Sequence, residues 1–397
     1  MRRGAEIVAA TGPATSTAAA GAAAGTVAAP RPRRPLLTRR AVVAIAVFVA
    51  VLAVFLTQTR LPATLLKLDT ADRAQTARGR LAFNQVIDPD TLPPALDWVA
   101  YGANLWDGNA VGMFFAMLLG GAAMGFAGSL GRVRRLLDRR GPMGAGVGGA
   151  LGMPLMMCSA CSTPVSLGFY RSGATVETSL GVIIGSALFN PLGLIAMFAV
   201  LPAEMGLARV AFGVVLLFVV APLLARIHRR RPGAAEPADC EVTPLRLEAG
   251  VGGGDEGWGA ALVHGLRDWV RNSVDVTWRL APVMLAATMI VGLVFSVAPP
   301  QTFSDRIGTG VAALVVAAGV GALLQTPALF EVPLTLGLLY LGLAVGPATA
   351  LLVTAPSAGL ITLALARRDL GWRTLALLLG ATFAGGVVAG AVVGALS

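Results

Sequence analysis

Two cysteines three residues apart, Cys158 and Cys161, lie between two prolines in the segment Met153-Pro-Leu-Met-Met-Cys-Ser-Ala-Cys-Ser-Thr-Pro164. Thiolates are soft donors that hold thiophilic centres such as As(III), Sb(III), Cu(I) or Zn(II). Two sulfurs make an open site, whereas a closed structural zinc site takes four ligands. An open site suits a ligand that must later leave. Pro154 and Pro164 remove backbone donors and disfavour helix just before them. The peptide groups of the Cys-Ser-Ala-Cys stretch are therefore expected to be free for a ligand. The plainer alternative is a pair of small, inert thiols buried at a helix break. Met153, Met156 and Met157 could add thioethers, although methionine more commonly fills gaps.

Three further residues carry chemistry. Glu331 stands between two apolar stretches and beside Pro333. A charge at mid-membrane costs roughly 2.5–3.5 kcal/mol on insertion scales, so a carboxylate there is expected to bind a cation or carry a proton, unless it is solvated at the interface. Asn190-Pro191 supplies an amide at a helix break, as a pore-lining group or an interhelical hydrogen bond.

These residues sit in a chain built for lipid. Of 397 residues, 56% are hydrophobic and only 13% charged, with 49 glycines and 24 prolines, and apolar runs of about 17–24 residues recur. In a membrane bundle, such glycine and proline usage means close helix contacts and broken helices. The net charge of +10 does not imply nucleic-acid binding, because the arginines gather at the ends of apolar runs, where topology explains them. The third cysteine, Cys240, lies in a polar loop, and His228 and His264 are read as solvated residues in or beside it. No Gly-x-x-x-x-Gly-Lys-Ser/Thr loop, Ser-His-Asp set or carboxylate pair is present, so neither an enzyme nor a resident cofactor is expected.

The expected order is a disordered cytoplasmic tail (1–40), a retained first span (41–57), an external loop (58–107), a first repeat (108–228), a cytoplasmic loop (229–259) and a second repeat (260–397). Spans are read at 109–130, 177–201, 207–225, 280–297, 348–366 and 374–396. The stretch 260–279 is read as an interfacial amphipathic helix feeding the fifth span. Gly121-x-x-x-Gly125 is a close-packing pattern.

The repeat rests on laying Cys161-Ser-Thr-Pro164-Val-Ser-Leu-Gly168 over Phe330-Glu-Val-Pro333-Leu-Thr-Leu-Gly337, with Gly173 and Gly342 following at the same distance and Asn190-Pro191 set against Ala355-Pro356. Arginine counting supports it. If 143–170 crossed once, Arg171 and the Arg226 to Arg231 cluster would lie outside, against the positive-inside rule. If 143–170 is a hairpin, the arginines near 132–140, 171, 226–231 and 367–373 all face the cytoplasm. Each limb of about 15 residues is near 22 Å, short of a core of about 30 Å. The fold class is thus an all-α polytopic membrane protein of about 7 full spans plus two broken, re-entrant hairpins in an inverted repeat, an architecture of alternating-access transporters.

Pro154-x-x-x-Cys158-Ser-Ala-Cys161-Ser-Thr-Pro164, with Leu167-Gly168-x-Tyr170-Arg171-Ser-Gly173-Ala174 after it, resembles the predicted permease family that includes the trivalent organoarsenical efflux permeases. Asn190-Pro191, Glu331-Val-Pro333 and Ala355-Pro356 look like further landmarks, and the likeness covers roughly residues 100–397. It implies a permease. Family members commonly carry adjacent or closely spaced cysteines at this motif, and the Cys-Ser-Ala-Cys form with no further membrane cysteine leaves the cargo open.

The expected function is a secondary transporter in the cell membrane, N-terminus cytoplasmic, exporting a thiophilic metal(loid) or organometalloid. Cys158 and Cys161 contact the metal(loid) as cargo, and Pro164, Asn190, Glu331 and Pro333 complete the substrate-binding set. Its partners are the bilayer and that small cargo, with no nucleic acid; a homo-oligomer is left open. The alternatives are a membrane thiol-redox relay, which Cys-x-x-Cys spacing also fits, and a permease for a non-metal anion with structural cysteines. A relay would be expected to offer a cysteine in each half, and the second half has none.

Overall fold

The computed structural model describes residues 39–62, 86–88, 91–93, 96–127, 137–230, 257–297, 310–324, 326, 330–340 and 342–397, and all regular elements among them are helical. The expected N-terminal tail, most of the two long loops, Cys240, Arg132, Arg134 and Arg135 fall outside these residues.

The first element, α1 (Arg39–Phe55), runs on into a π turn at Leu56–Arg60. It is followed by α2 (Asp97–Ala127), α3 (Gly141–Gly152), α4 (Ser159–Arg171), α5 (Val176–Leu188), α6 (Pro191–Val200), α7 (Ala203–Val215) and α8 (Ala221–Arg229). The second half comprises α9 (Trp258–Val297), α10 (Val311–Leu324), α11 (Glu331–Tyr340), α12 (Val345–Thr354), α13 (Leu360–Ala366) and α14 (Trp372–Leu396). Four stretches of described helix, Arg39–Arg60, Val176–Val200, Ala203–Arg229 and Leu360–Leu396, are long and apolar enough to cross a bilayer. Shorter apolar helices, such as Val311–Leu323, lie among them. Large apolar side chains including Val49, Phe114, Ile195, Leu207 and Val219 face outward, as lipid rather than water permits.

The pair α3 and α4 doubles back. Thr175, just after α4, donates its N–H to Leu137 C=O at 3.1 Å and its hydroxyl to Arg139 C=O at 3.0 Å. The chain therefore leaves the pair beside the point where it entered. Arg171 grips Asp369 through Nε at 3.0 Å and Nη2 at 3.1 Å. Arg229 reaches Glu177 at 2.7 Å, and His228 Nδ1 lies 3.2 Å from Thr374 Oγ1. The arginine-bearing termini of α4, α8 and the α13–α14 connection thus share one end of the molecule.

Local geometry recurs at a constant offset. Left-handed glycines stand at Gly141 and Gly310 and again at Gly173 and Gly342 (310 − 141 = 342 − 173 = 169). Helices α5 and α12 begin at Val176 and Val345, the same offset apart. Met157 N–H bonds Ser186 Oγ across 29 residues, and Thr326 N–H bonds Ala355 C=O across the same interval. A Cβ on Gly152 would strike Val182 O and Ser186 N, and one on Gly321 would approach Leu351 O and Ala355 N.

Several boundaries differ from the sequence reading. The break in the first helix pair falls at Met156–Cys158, and Ser159 to Cys161 form the first turn of α4, capped by Cys158, rather than a loop. Asn190-Pro191 matches Gly359-Leu360, not Ala355-Pro356: Asn190 and Gly359 are the N-caps of α6 and α13 at the same 169-residue offset, with no length change. The expected spans 177–201 and 348–366 are each split at these caps. The interfacial helix at 260–279 and the span after it are one continuous 40-residue helix, α9, about 60 Å long at 1.5 Å per residue. Nothing between Arg279 and Leu280 breaks its hydrogen bonding, and Pro282 is accommodated within it. His228, expected to be solvated, is buried against α14. Gly121 lets α2 meet the α9 backbone at Ser273, and Gly125 faces Ala44 of α1.

Candidate functional site

A 3₁₀ turn, Met153–Leu155, ends α3, and Met156 then takes a left-handed backbone at φ 50°, ψ 42°. It is the sole non-glycine with positive φ among the described residues. Such a conformation costs on the order of 1–3 kcal/mol and persists where its surroundings hold it. Here Ser186 is the clamp: its hydroxyl accepts from Met157 N–H at 3.1 Å and donates to Met157 C=O at 2.9 Å. The chain re-enters helix at Cys158, the N-cap of α4.

Cys158 and Cys161 are free thiols, each 1% exposed, with Sγ atoms 3.3 Å apart. The first intrahelical bond of α4 runs from Ser162 N–H to Cys158 C=O at 2.9 Å. The N–H groups of Ser159, Ala160 and Cys161 therefore have no intrahelical acceptor, and the positive end of the helix dipole lies at the sulfurs. Pro164 is the sixth residue of α4 and supplies no N–H to the carbonyl of Ala160. Its backbone lies so close to α2 that a Cβ on Gly120 would sit 2.8 Å from Pro164 O.

Other segments close around the pair. Ser159 Oγ donates to Ser357 C=O, between α12 and α13, at 2.5 Å. Gly112 of α2 is flanked by Arg60 and Cys161: a Cβ there would be 3.0 Å from Arg60 Nη2 and 3.2 Å from Cys161 Sγ.

Glu331 is the first residue of α11 and 1% exposed. It is neither solvated nor alone, because Arg209 of α7, 0% exposed, donates from Nη2 to Glu331 Oε1 at 3.0 Å. The same Nη2 donates to Ala187 C=O at the end of α5 at 3.0 Å. Asn190 is buried, and its side chain accepts from Leu192 N–H at 3.1 Å and Gly193 N–H at 3.3 Å, which makes it a helix cap for α6. Pro333 is the third residue of α11. Arg209 thus joins Glu331 to Ala187, whose neighbour Ser186 clamps Met157 beside the cysteines, and Asn190 caps the helix that follows α5. Among the described residues, no group of three or more His, Cys, Asp or Glu side chains could hold a metal ion.

Sequence reasoning missed Arg209 and Arg60. The signal for Arg209 was a lone arginine inside an apolar run, where a charge is expected to have a function and a partner. Arg60 closes the first span and reads from sequence as a boundary residue.

Residues 113–395 match the model of the ArsP_1 family, described as a predicted permease. The chain belongs to this predicted permease family. It is also 27% identical over 251 residues to the UPF0718 protein YraQ of Escherichia coli, a match covering 63% of this chain and 66% of that protein. A second relative, the UPF0718 protein MJ0584 of Methanocaldococcus jannaschii, is 31% identical over 107 residues, 27% of this chain and 29% of its own length. The matches thus span just under two thirds of the first relative and under a third of the second. No solved structure matches the chain. Family membership and the apolar helices make this chain a membrane protein of a predicted permease family, helical throughout its described regular elements.

Proposed function

We propose that this permease is a secondary transporter of the cell membrane that exports a thiophilic metal(loid) or organometalloid, with Cys158 and Cys161 as its soft contact. The observation that carries the reading is the free thiol pair, 3.3 Å apart and buried, at the start of α4. Two sulfurs hold a soft centre yet leave coordination positions open, so the cargo can be released. The recurrence of local geometry every 169 residues supports an inverted repeat, with the arginine-rich end and the N-terminus in the cytoplasm. In this reading the two helix pairs, α3–α4 and α10–α11, are re-entrant hairpins. The tip of the first pair, where Met157 and Cys158 are buried, is tolerated at membrane depth because protein surrounds it.

Pro164 leaves the Ala160 carbonyl in the first turn of α4 without its intrahelical donor, Pro333 is tolerated in the first turn of α11, and Asn190 caps α6. Glu331 provides a charge whose pairing can change during the cycle. The close thiols at a helix start also suit a disulfide relay, but a relay across the membrane needs a second acceptor pair, and the second half has no cysteine.

Expression in a metal(loid)-sensitive bacterial host tests the reading. Wild type is expected to raise resistance to at least one trivalent arsenical, antimonial or soft metal in a panel. Cys158→Ser with Cys161→Ser is expected to abolish that resistance while the protein still reaches the membrane. Resistance undiminished in the double variant would remove the cysteines from the cargo path.

A further inference from the structure

We infer that Arg209 is a second contact for the cargo and that it receives an anionic group carried by the same molecule whose soft centre meets the thiols. This rests on the permease reading above and narrows its substrate class to thiophilic species bearing an anionic oxygen group.

The pair formed by Arg209 and Glu331 is incomplete as an internal salt bridge. Arg209 uses only Nη2, on Glu331 Oε1 and Ala187 C=O. Its Nε, with one hydrogen, and its Nη1, with two, are buried without a hydrogen-bond partner, as is Glu331 Oε2. Unused donors therefore outnumber the unused acceptor, so the vacancy in the hydrogen bonding suits an acceptor-rich, negatively charged group. A guanidinium meets such a group with charge-assisted hydrogen bonds, which are the strong ones.

The counterpart positions carry no charge. Residues 169 positions away from Arg209 and Glu331 are Leu378 and Ser162, both 0% exposed. The second occurrence of this arrangement buries a leucine and a serine where the first buries an ion pair. A buried ion pair is therefore particular to one occurrence of the arrangement and has no charged counterpart in the other. The position of the pair fits a role in cargo contact, since Arg209 is anchored to Ala187 C=O, the neighbouring Ser186 clamps Met157 beside Cys158, and Glu331 begins α11.

The test uses the purified full chain in lipid nanodiscs and two trivalent arsenicals, phenylarsine oxide and its 4-carboxy derivative. They share the soft centre and differ in one anionic group. Wild type is expected to bind the carboxylated probe at least about tenfold more tightly, the scale of one charge-assisted contact. Arg209→Leu with Glu331→Ser, the residue types found 169 positions away, is expected to lose the preference and bind both probes alike. Equal binding of the two probes by wild type, or a preference retained in the double variant, overturns the inference. If neither arsenical binds wild type, the thiol reading fails by itself, and benzoate against benzamide in thermal unfolding then decides the anion site. Stabilisation of wild type by benzoate alone, lost in the double variant, supports it. No benzoate-specific shift, or the same shift in both proteins, overturns it.

Discussion

Arg209→Leu alone is expected to be among the most damaging single substitutions in this protein, costing about 3–5 kcal/mol of stability. The change removes the partner of a carboxylate that is 1% exposed and leaves that charge where no water can reach it. Glu331→Ser alone should damage for the mirrored reason, by stranding the guanidinium. The double change should recover most of the loss, because an ion pair replaced by groups that need no solvation often proves neutral or stabilising. The check is thermal unfolding of the four proteins in one detergent, followed by size-exclusion chromatography. A double variant no more stable than the worse single would show that the pair is not the source of the cost.

Gly148→Leu is expected to part α3 from α5. A Cβ at Gly148 would collide with Thr178 O, and one at the facing Gly181 or Gly185 would collide with a backbone oxygen of α3. Backbone atoms cannot swing aside as a flexible side chain can, so the helices must separate. Overpacking of this kind typically costs about 1–3 kcal/mol and occasionally more; contact with backbone puts this case at the upper end. The consequence extends to the site, because α5 carries Ser186, which clamps Met157 just before the cysteines. Gly380 is the control: an added Cβ there meets nothing within 4 Å. Gly380→Ala should be neutral or stabilise by up to about 1 kcal/mol through helix propensity. Expression and unfolding temperature of the two variants decide the matter, and equal behaviour would contradict the packing account.

What the chain reveals before folding follows from which signals are local. The prolines at 154 and 164 announce a broken segment, and the matching Gly173 and Gly342 announce its second occurrence, because left-handed turns tolerate few other residues. The placement of the break is less legible. Pro164 reads as an interruption, yet it lies inside α4, where its missing N–H affects the bonding of one carbonyl, while the break itself falls at Met156, which carries no turn signal of its own. Asn-Pro announces a helix break, but Asn190 reads as a pore-lining or interhelical group; its role as the cap of α6, and its pairing with Gly359, emerge only in the fold.

The Arg209–Glu331 pair joins residues 122 positions apart, and nothing local links a lone arginine in one apolar helix to a glutamate at the start of another. The amphipathic pattern of 260–279 identifies a helix but not its continuity with the span that follows. Hydrophobic periodicity reports which face is apolar and is silent on whether the next span continues the same axis.

The central claim is that cargo passes over the thiols of Cys158 and Cys161, and flux through purified protein measures it most directly. Wild type and the Cys158→Ser, Cys161→Ser double variant would be reconstituted at equal density into sealed proteoliposomes. Movement of phenylarsine oxide, methylarsenite, antimonite, copper(I) and zinc(II) would be followed by elemental analysis. The expected result is wild-type flux of at least one of these above empty liposomes, lost in the double variant, whose Trp fluorescence and unfolding temperature match wild type. Equal flux by both proteins for every species that wild type moves would contradict the account.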